Sequence, residues 1–254
     1  MQSALVLLYC AFGSVVAGIS LPGSTQFASP VPLRIMPLGA SVTYGVGSTT
    51  GSSYRKDLRD LLIAANQTVN FVGTHENGNF TDNDVEATSG FVISQIADAA
   101  ATAVPKFLPN IVLVDAGSNN CNQGGTVPGA GLQINALVDD IMERSPGVTV
   151  LLATIIINTV PEQEACRVDI NRQYELYVAQ EGRAQQDRKK LLLANMTSPR
   201  GPTMYDLADG RHPNDVGYAK MAKMAKIWFD GIQRAIALRF VTARVENGIP
   251  ADGG

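Results

Sequence analysis

Histidine is scarce in this chain: His75 and His212 are the only two. His212 lies in Asp209-Gly210-Arg211-His212-Pro213, three residues after an aspartate, in a turn whose glycine lets the carboxylate fold back onto the ring. A serine hydroxyl is a poor nucleophile until a base takes its proton. An imidazole base in turn needs an acceptor on its second nitrogen to fix the tautomer. One loop can therefore bring both base and orienter, His212 and Asp209, with Asp206 as the competing acid. The matching nucleophile is Ser41, in "IMPLGASVTYG", where an apolar run stops at Gly39 and a lone serine precedes a turn. In its local context alone Ser41 also reads as turn punctuation. His75 reads as a solvated loop histidine.

Acyl transfer also requires donors for a developing oxyanion. Three are available: the backbone amides of Ser41 and Gly90, and the side-chain amide of Asn119. Asn119 reads alternatively as a turn former, and Gly90 as a plain loop glycine. A glycine at position 90 suits close approach of the backbone to a ligand.

These residues converge only if the right elements carry them. Apolar runs at Leu33–Leu38, Val69–Val72, Ile111–Val114, Val148–Ile157 and Leu191–Ala194 predict five buried strands. Helical spacing recurs at Tyr54, Leu58, Leu61, Leu62 and Ala65, through Ile93–Val104, at Leu132, Ala136, Leu137 and Ile141, and from Val168 to Ala184. A last helix from Asp215 carries Ala222, Ala225, Trp228, Ile232 and Ile236 on one face. The stretch from Thr74 to Gly90 reads as a long polar loop. Strands alternating with helices predict a single three-layer α/β/α domain around a five-stranded parallel sheet. Ligands of such sheets bind outside the carboxyl ends of the strands. Ser41, Gly90, Asn119 and His212 all fall in loops after predicted strands. Asp115, at a strand end, reads as a buried carboxylate with a structural partner.

The chain has 254 residues, 45% of them apolar, and a net charge of −3. That suffices for one large domain with a full core. No basic block exists, so nucleic acid is not an expected partner. Residues 1–17 are apolar, free of charge and end in Val15-Val16-Ala17, which reads as a secretory signal peptide. A membrane anchor is the alternative, but the run is short for a span. Residues 18–32 read as an extended arm, 33–240 as the catalytic domain and 241–254 as a loose tail. Secretion implies an oxidising compartment. Cys10 leaves with the signal, so Cys121 and Cys166 read as one disulfide, with two buried thiols as the alternative. Asn66, Asn79 and Asn195 each begin an Asn-X-Thr glycosylation acceptor.

The set Ser41, Gly90, Asn119 and His212 resembles the SGNH (GDSL-type) hydrolases, a family named for four such residues. Asp209 matches the acid of its Asp-x-x-His block. "RIMPLGASVTYG", "FVG", "DVEATSGFVISQI", "DAGSNN" and "DGRHP" look most like carbohydrate esterase family 3, as in secreted fungal enzymes. The similarity runs from about Arg34 to Trp228. The resemblance implies a flavodoxin-like fold and a cofactor-free acetyl xylan esterase acting as a monomer. Its mechanism would use a Ser41-His212-Asp209 triad and an acyl-serine. Ser41, Gly90 and Asn119 would form the oxyanion hole. Relatives can carry a structural calcium, for which the acidic loop at Asp82 and Asp84 is the candidate place. Three positions depart from the family pattern: Ala40 replaces the aspartate before the serine, Asn120 the aspartate of G-x-N-D, and Val85 a frequent histidine. The first two carboxylates hold loop geometry in the family, so their loss bears on rate more than on reaction type. Competing readings are another SGNH esterase (a lysophospholipase or thioesterase) and an inactive carbohydrate-binding relative.

Overall fold

The computed structural model describes residues 31–122, 127–182, 189–215 and 222–243. The signal peptide, Cys10, most of the arm and the end of the tail lie outside the described residues, as does the start of the last helix after Asp215.

The chain folds into strands β1 (Leu33–Gly39), β2 (Val69–Phe71), β3 (His75–Glu76), β4 (Asp84–Ala87), β5 (Ile111–Asp115), β6 (Thr149–Ala153) and β7 (Leu191–Ala194). The helices are α1 (Ser41–Tyr44), α2 (Arg55–Ala64), α3 (Ile93–Phe107), α4 (Ala130–Arg144), α5 (Pro161–Glu181) and α6 (Ala222–Ala237). Five of the parallel strands run β2-β1-β5-β6-β7, which is order 2-1-3-4-5 for the five, and β4 also pairs parallel with β1. That is the flavodoxin-like doubly wound order.

Side-chain alternation along the strands builds two cores. Met36, Leu38, Val112, Val114, Val150 and Leu152 face α3, α4 and α5. Leu33, Ile35, Ile111, Leu113, Leu151 and Ala153 face α2 and α6, against Leu58, Leu62 and Trp228. Every residue of β1, β5 and β6 is buried, as a covered parallel sheet requires.

The sheet has seven strands, not the five read from the sequence. Where a polar loop was expected, β3 and β4 form an antiparallel pair, His75 opposite Val85 and Glu76 opposite Asp84. The reason lies on β1. The three-residue β2 pairs only with Leu33, Arg34 and Ile35. The chain then leaves that edge and returns as β4, which pairs with Leu38 and Gly39. The buried Glu86 of β4 accepts from the backbone N–H of Thr74 (2.9 Å) and its hydroxyl (2.8 Å), so a carboxylate sits in the strand at low cost. β6 ends at Ala153, earlier than the isoleucine run suggests. Past it, the Ile155 N–H donates to Asn171 Oδ1 at 2.7 Å, so a side chain replaces the ladder. Helix α5 starts earlier than its apolar spacing, with Pro161 in its first turn.

The turn after β1 and the hairpin are joined by Arg55, fully buried in the first turn of α2. Its guanidinium donates to the carbonyls of Thr43 (3.1 Å), Tyr44 (3.3 Å), Gly51 (3.0 Å), Asn77 (2.6 Å) and Asn83 (2.7 Å).

Cys121 and Cys166 form a disulfide between the 3₁₀ turn Ser118–Cys121 and α5. It closes a loop of 45 residues. In the chain-entropy account that is worth roughly 4 kcal/mol. The double variant Cys121→Ser/Cys166→Ser is expected to lose about 3–4 kcal/mol in urea titration. A loss under about 1 kcal/mol would mean that the bond constrains the unfolded chain far less than its span implies.

Candidate active site

Ser41 is the first residue of α1, directly after β1 ends. The tight exit needs Gly39: a Cβ there would stand 2.5 Å from Thr43 Oγ1 and 2.7 Å from the Asp115 carbonyl. The Tyr44 and Gly45 N–H groups close the turn onto the carbonyls of Ala40 and Ser41, both at 2.9 Å. β1 lies between β2/β4 on one side and β5 on the other, so Ser41 stands at the topological switch point of the sheet.

His212 comes from the loop after β7. Its Nε2 is 2.8 Å from Ser41 Oγ, and its Nδ1 is 2.7 Å from Asp209 Oδ2. Asp209 Oδ1 also accepts the backbone N–H groups of His212 (2.8 Å) and Arg211 (3.0 Å). Partial burial pushes the Asp209 carboxyl upward. The hydrogen bonds from the His212 ring and from the two backbone amides, with the charge of His212, outweigh that push and hold it at about 2. An ionised acceptor on Nδ1 keeps the proton there and leaves the Nε2 lone pair for the serine hydroxyl. The loop itself is pinned by a Leu207–Pro213 bridge and by Ala208 N–H to the His212 carbonyl at 2.7 Å. Asp206, the competing acid, is turned away and buried, accepting the Thr203 N–H (2.9 Å) and hydroxyl (2.7 Å). His75 is exposed at the sheet edge in β3.

Asn119 lies in the turn after β5, across the switch point. Its Nδ2 donates to the Phe91 carbonyl at 2.9 Å, and its Oδ1 accepts from Asn122 Nδ2 at 3.3 Å. Both ends of the amide are thus oriented, and a second Nδ2 hydrogen remains for a ligand. Gly90 has φ +89°, a backbone region open to glycine, and the space beside it is empty. Asn120, one of the departures, acts through its side-chain oxygen: Oδ1 accepts the Ile93 N–H at 3.0 Å at the start of α3. An asparagine oxygen performs this capping as an aspartate would.

A cavity of ≈ 50 Å³ opens beside Ser41, lined by His212, Asn119 and Ser118, by Val42, and by Ile155, Ile156 and Ile157. The isoleucines come from the loop after β6, which sequence reading passed over in favour of the other four loops. The signal was there: the carboxyl-end rule covers every strand, and "TIIIN" directly follows β6. Asn158, Gln163, Arg167 and Arg211 complete the polar wall.

Under the serine turn lies Asp115, the last residue of β5. Its Oδ2 accepts the Thr43 hydroxyl at 3.2 Å, and Thr43 Oγ1 is 3.4 Å from the Tyr54 hydroxyl. At the candidate place for a calcium, Asp82 is already engaged by protein donors. Asp82 spends its two oxygens on Arg59 Nε and the Phe71 N–H, both at 2.8 Å. Among the described residues, no group of three or more His, Cys, Asp or Glu side chains is placed to hold a metal ion. Asn66, Asn79 and Asn195 are all exposed.

A model of the GDSL-like Lipase/Acylhydrolase family matches residues 38–220. A multidomain esterase of Ruminococcus flavefaciens is 26% identical over 246 residues, covering 84% of this chain and 30% of that protein. The chain therefore spans under a third of that relative's length. Among solved structures, the Clostridium thermocellum family 3 carbohydrate esterase is similar with a TM-score of 0.70 at 29% identity, over 82% of this chain and 98% of that one. A carbohydrate esterase family 3 protein from Talaromyces cellulolyticus is similar with a TM-score of 0.67 at 22% identity, over 81% and 99%. At that identity the second likeness speaks to the fold alone.

Burial pushes the Asp115 carboxyl up from 3.8 to about 6, with the Thr43 hydroxyl drawing it back only in part. The folded state thus holds this proton more tightly than the unfolded chain. The group is least costly below about pH 4, and stability is lost as pH rises from about 4 to about 6. Asp115→Asn removes the titration. Its melting temperature relative to wild type should rise between pH 5 and pH 8, by the equivalent of roughly 1.4 kcal/mol. Parallel melting curves would defeat this assignment.

Proposed function

Because the chain belongs to the GDSL-like Lipase/Acylhydrolase family, we propose that it is a secreted serine esterase that removes acetyl groups from an acetylated polysaccharide, xylan being the first candidate. One observation carries the reading: the unbroken hydrogen-bonded line from Ser41 Oγ through His212 to Asp209, beside a cavity sized for a small acyl group.

In this mechanism His212 Nε2 takes the Ser41 proton as Oγ attacks the ester carbonyl. Asp209 stabilises the imidazolium that forms. The tetrahedral oxyanion is met by the amides of Ser41 and Gly90 and by the free Nδ2 hydrogen of Asn119. Collapse expels the sugar hydroxyl, protonated by His212, and leaves an acetyl-serine. Water, deprotonated by His212, then releases acetate. No step calls for a cofactor. A cavity of ≈ 50 Å³ is far below the roughly 300–1,000 Å³ of pockets that bury drug-sized ligands. That favours acetate over the long chains of a lysophospholipase or the bulky acyl groups of a thioesterase. The carbohydrate is suggested by the Clostridium thermocellum relative, described as a family 3 carbohydrate esterase.

The same proposal takes residues 1–17 as the secretion signal, 18–32 as an arm, 33–240 as the catalytic domain of a monomer, and Asn66, Asn79 and Asn195 as glycosylated. Among the described residues, no helix is long and apolar enough to cross a membrane.

Ser41→Ala is expected to lower kcat by about 10⁴-fold or more, with an unchanged circular dichroism spectrum. His212→Ala should cost nearly as much, and the double variant little more than either, since the pair acts as a unit. Activity within tenfold of wild type for Ser41→Ala would remove the serine from the mechanism. A phosphonate that labels active serines separates the inactive carbohydrate-binding reading, which predicts no adduct.

Specificity should fall from acetyl to butyryl esters by at least about tenfold in kcat/KM, because each misfitting methylene is felt in a small pocket. Chromogenic esters of increasing length measure the pocket, and acetate release from acetylated xylan measures the sugar. Faster turnover of an octanoyl ester would replace the deacetylase reading with a lipase-like one.

A further inference from the structure

Besides His212, the titratable side chains that line the cavity are two arginines, Arg167 and Arg211, and among the described residues no carboxylate lines it. The whole chain, by contrast, carries a net charge of −3. The two arginines are not equivalent. Arg167 is held in place: its Nε and Nη2 pair with Glu164, its Nη1 donates to the Ile155 carbonyl at 3.2 Å, and its side chain is 12% exposed. Its charge is largely spent on Glu164.

Arg211 is exposed and makes no ion pair among the described residues. Its Nη1 donates to Asn122 Oδ1 at 3.2 Å, a neutral partner across the cavity mouth. Its backbone N–H is tied to Asp209, so the side chain is anchored one residue from the base. The nearby carboxylates are engaged elsewhere. Asp209 takes three hydrogen bonds from His212 and Arg211, and Glu164 holds Arg167 and the Asn158 N–H. A guanidinium has five donors in a planar fork that matches a carboxylate with two parallel bonds. With one donor used on Asn122, the rest remain.

We propose that Arg211 binds a carboxylate on the leaving sugar, so that the preferred substrate is an acetylated glycan bearing a uronic acid close to the acetyl group. The proposal rests on the esterase reading above and narrows its substrate class. The acyl cavity is too small to hold a charged group beside the acetyl, so the anion belongs to the alcohol side of the ester. Arg211 stands at the rim, where that side must leave. A charge there discriminates only between substrates that differ in charge. A role in stabilising the oxyanion would speed neutral and acidic esters alike.

The test uses one acetylated xylo-oligosaccharide carrying a single uronic acid, and the same oligosaccharide after reduction of the carboxyl to a primary alcohol. Acetate release by the full chain should show kcat/KM about tenfold higher for the acid at low ionic strength, with the preference shrinking as salt is added. Arg211→Gln should bring the acid-to-neutral ratio close to one, and Arg211→Lys should retain part of it, since a point charge lacks the fork. A wild-type ratio of one or below, or a ratio indifferent to Arg211→Gln, overturns the proposal. A second arm does not depend on turnover. Calorimetric titration of Ser41→Ala with the deacetylated acid and its reduced form should give tighter binding of the acid, and equal affinities overturn the carboxylate site. Absence of acetate release from both substrates would instead defeat the esterase reading, while the calorimetry still judges Arg211.

Discussion

The site depends on a buried cation that never touches it. Tight turns leave carbonyls with no ladder or helix N–H to donate to them, and a buried carbonyl without a donor is costly. Three such segments meet beside β1: the turn after Ser41, the bend at Gly51 and the hairpin between Asn77 and Asn83. Arg55 answers all three with one planar group, donating to five carbonyls. Lysine could not, since its three donors sit on a single point. Asn77 Nδ2 adds a second donor to the Tyr44 carbonyl at 2.7 Å. The serine turn is thereby fixed from its C-terminal side, as Gly39 and Asp115 fix it from the strand side. A hydroxyl that must stay within hydrogen-bond reach of an imidazole 171 residues away depends on that double fixation.

Much of the fold was legible because burial on both faces writes plain apolar runs. Five of the six parallel strands, and their alternation with helices, could be read from such runs. What escaped has a common cause: it is stabilised by partners distant in sequence. "DVEA" has neither alternation nor β-branched density, and it is a strand because β1 has an unfilled edge at Leu38 and Gly39. The end of β6 is invisible in "LLATIII", since Asn171 of α5 decides it.

The same division holds at the site. Asp209 and His212 could be paired on paper because three residues of one turn separate them. Ser41 and Asn119 could be placed because the ends of adjacent parallel strands must share an edge. The isoleucine wall was passed over although its place after β6 pointed to it, and Arg167 was missed because nothing local marks an α5 side chain as facing a cavity. Asn120 shows the reverse case. Against the family pattern it looks like a loss, yet the requirement at that position is an acceptor for the Ile93 N–H, and the amide oxygen meets it.

The small hairpin has a consequence for how this molecule meets its own copies. An open sheet ends in strands with unsatisfied backbone groups, which invite another chain to add on. Here one border is shared by β2, three residues long, and β3, two exposed residues long, His75 and Glu76, running against its neighbour. The opposite border, β7, offers four residues, Leu191–Ala194. Neither gives an incoming strand enough register to hold, and a histidine and a glutamate are poor company for an apolar segment. The detour that completes β1 thus also blunts the sheet, leaving the molecule resistant to edge-to-edge growth at high concentration.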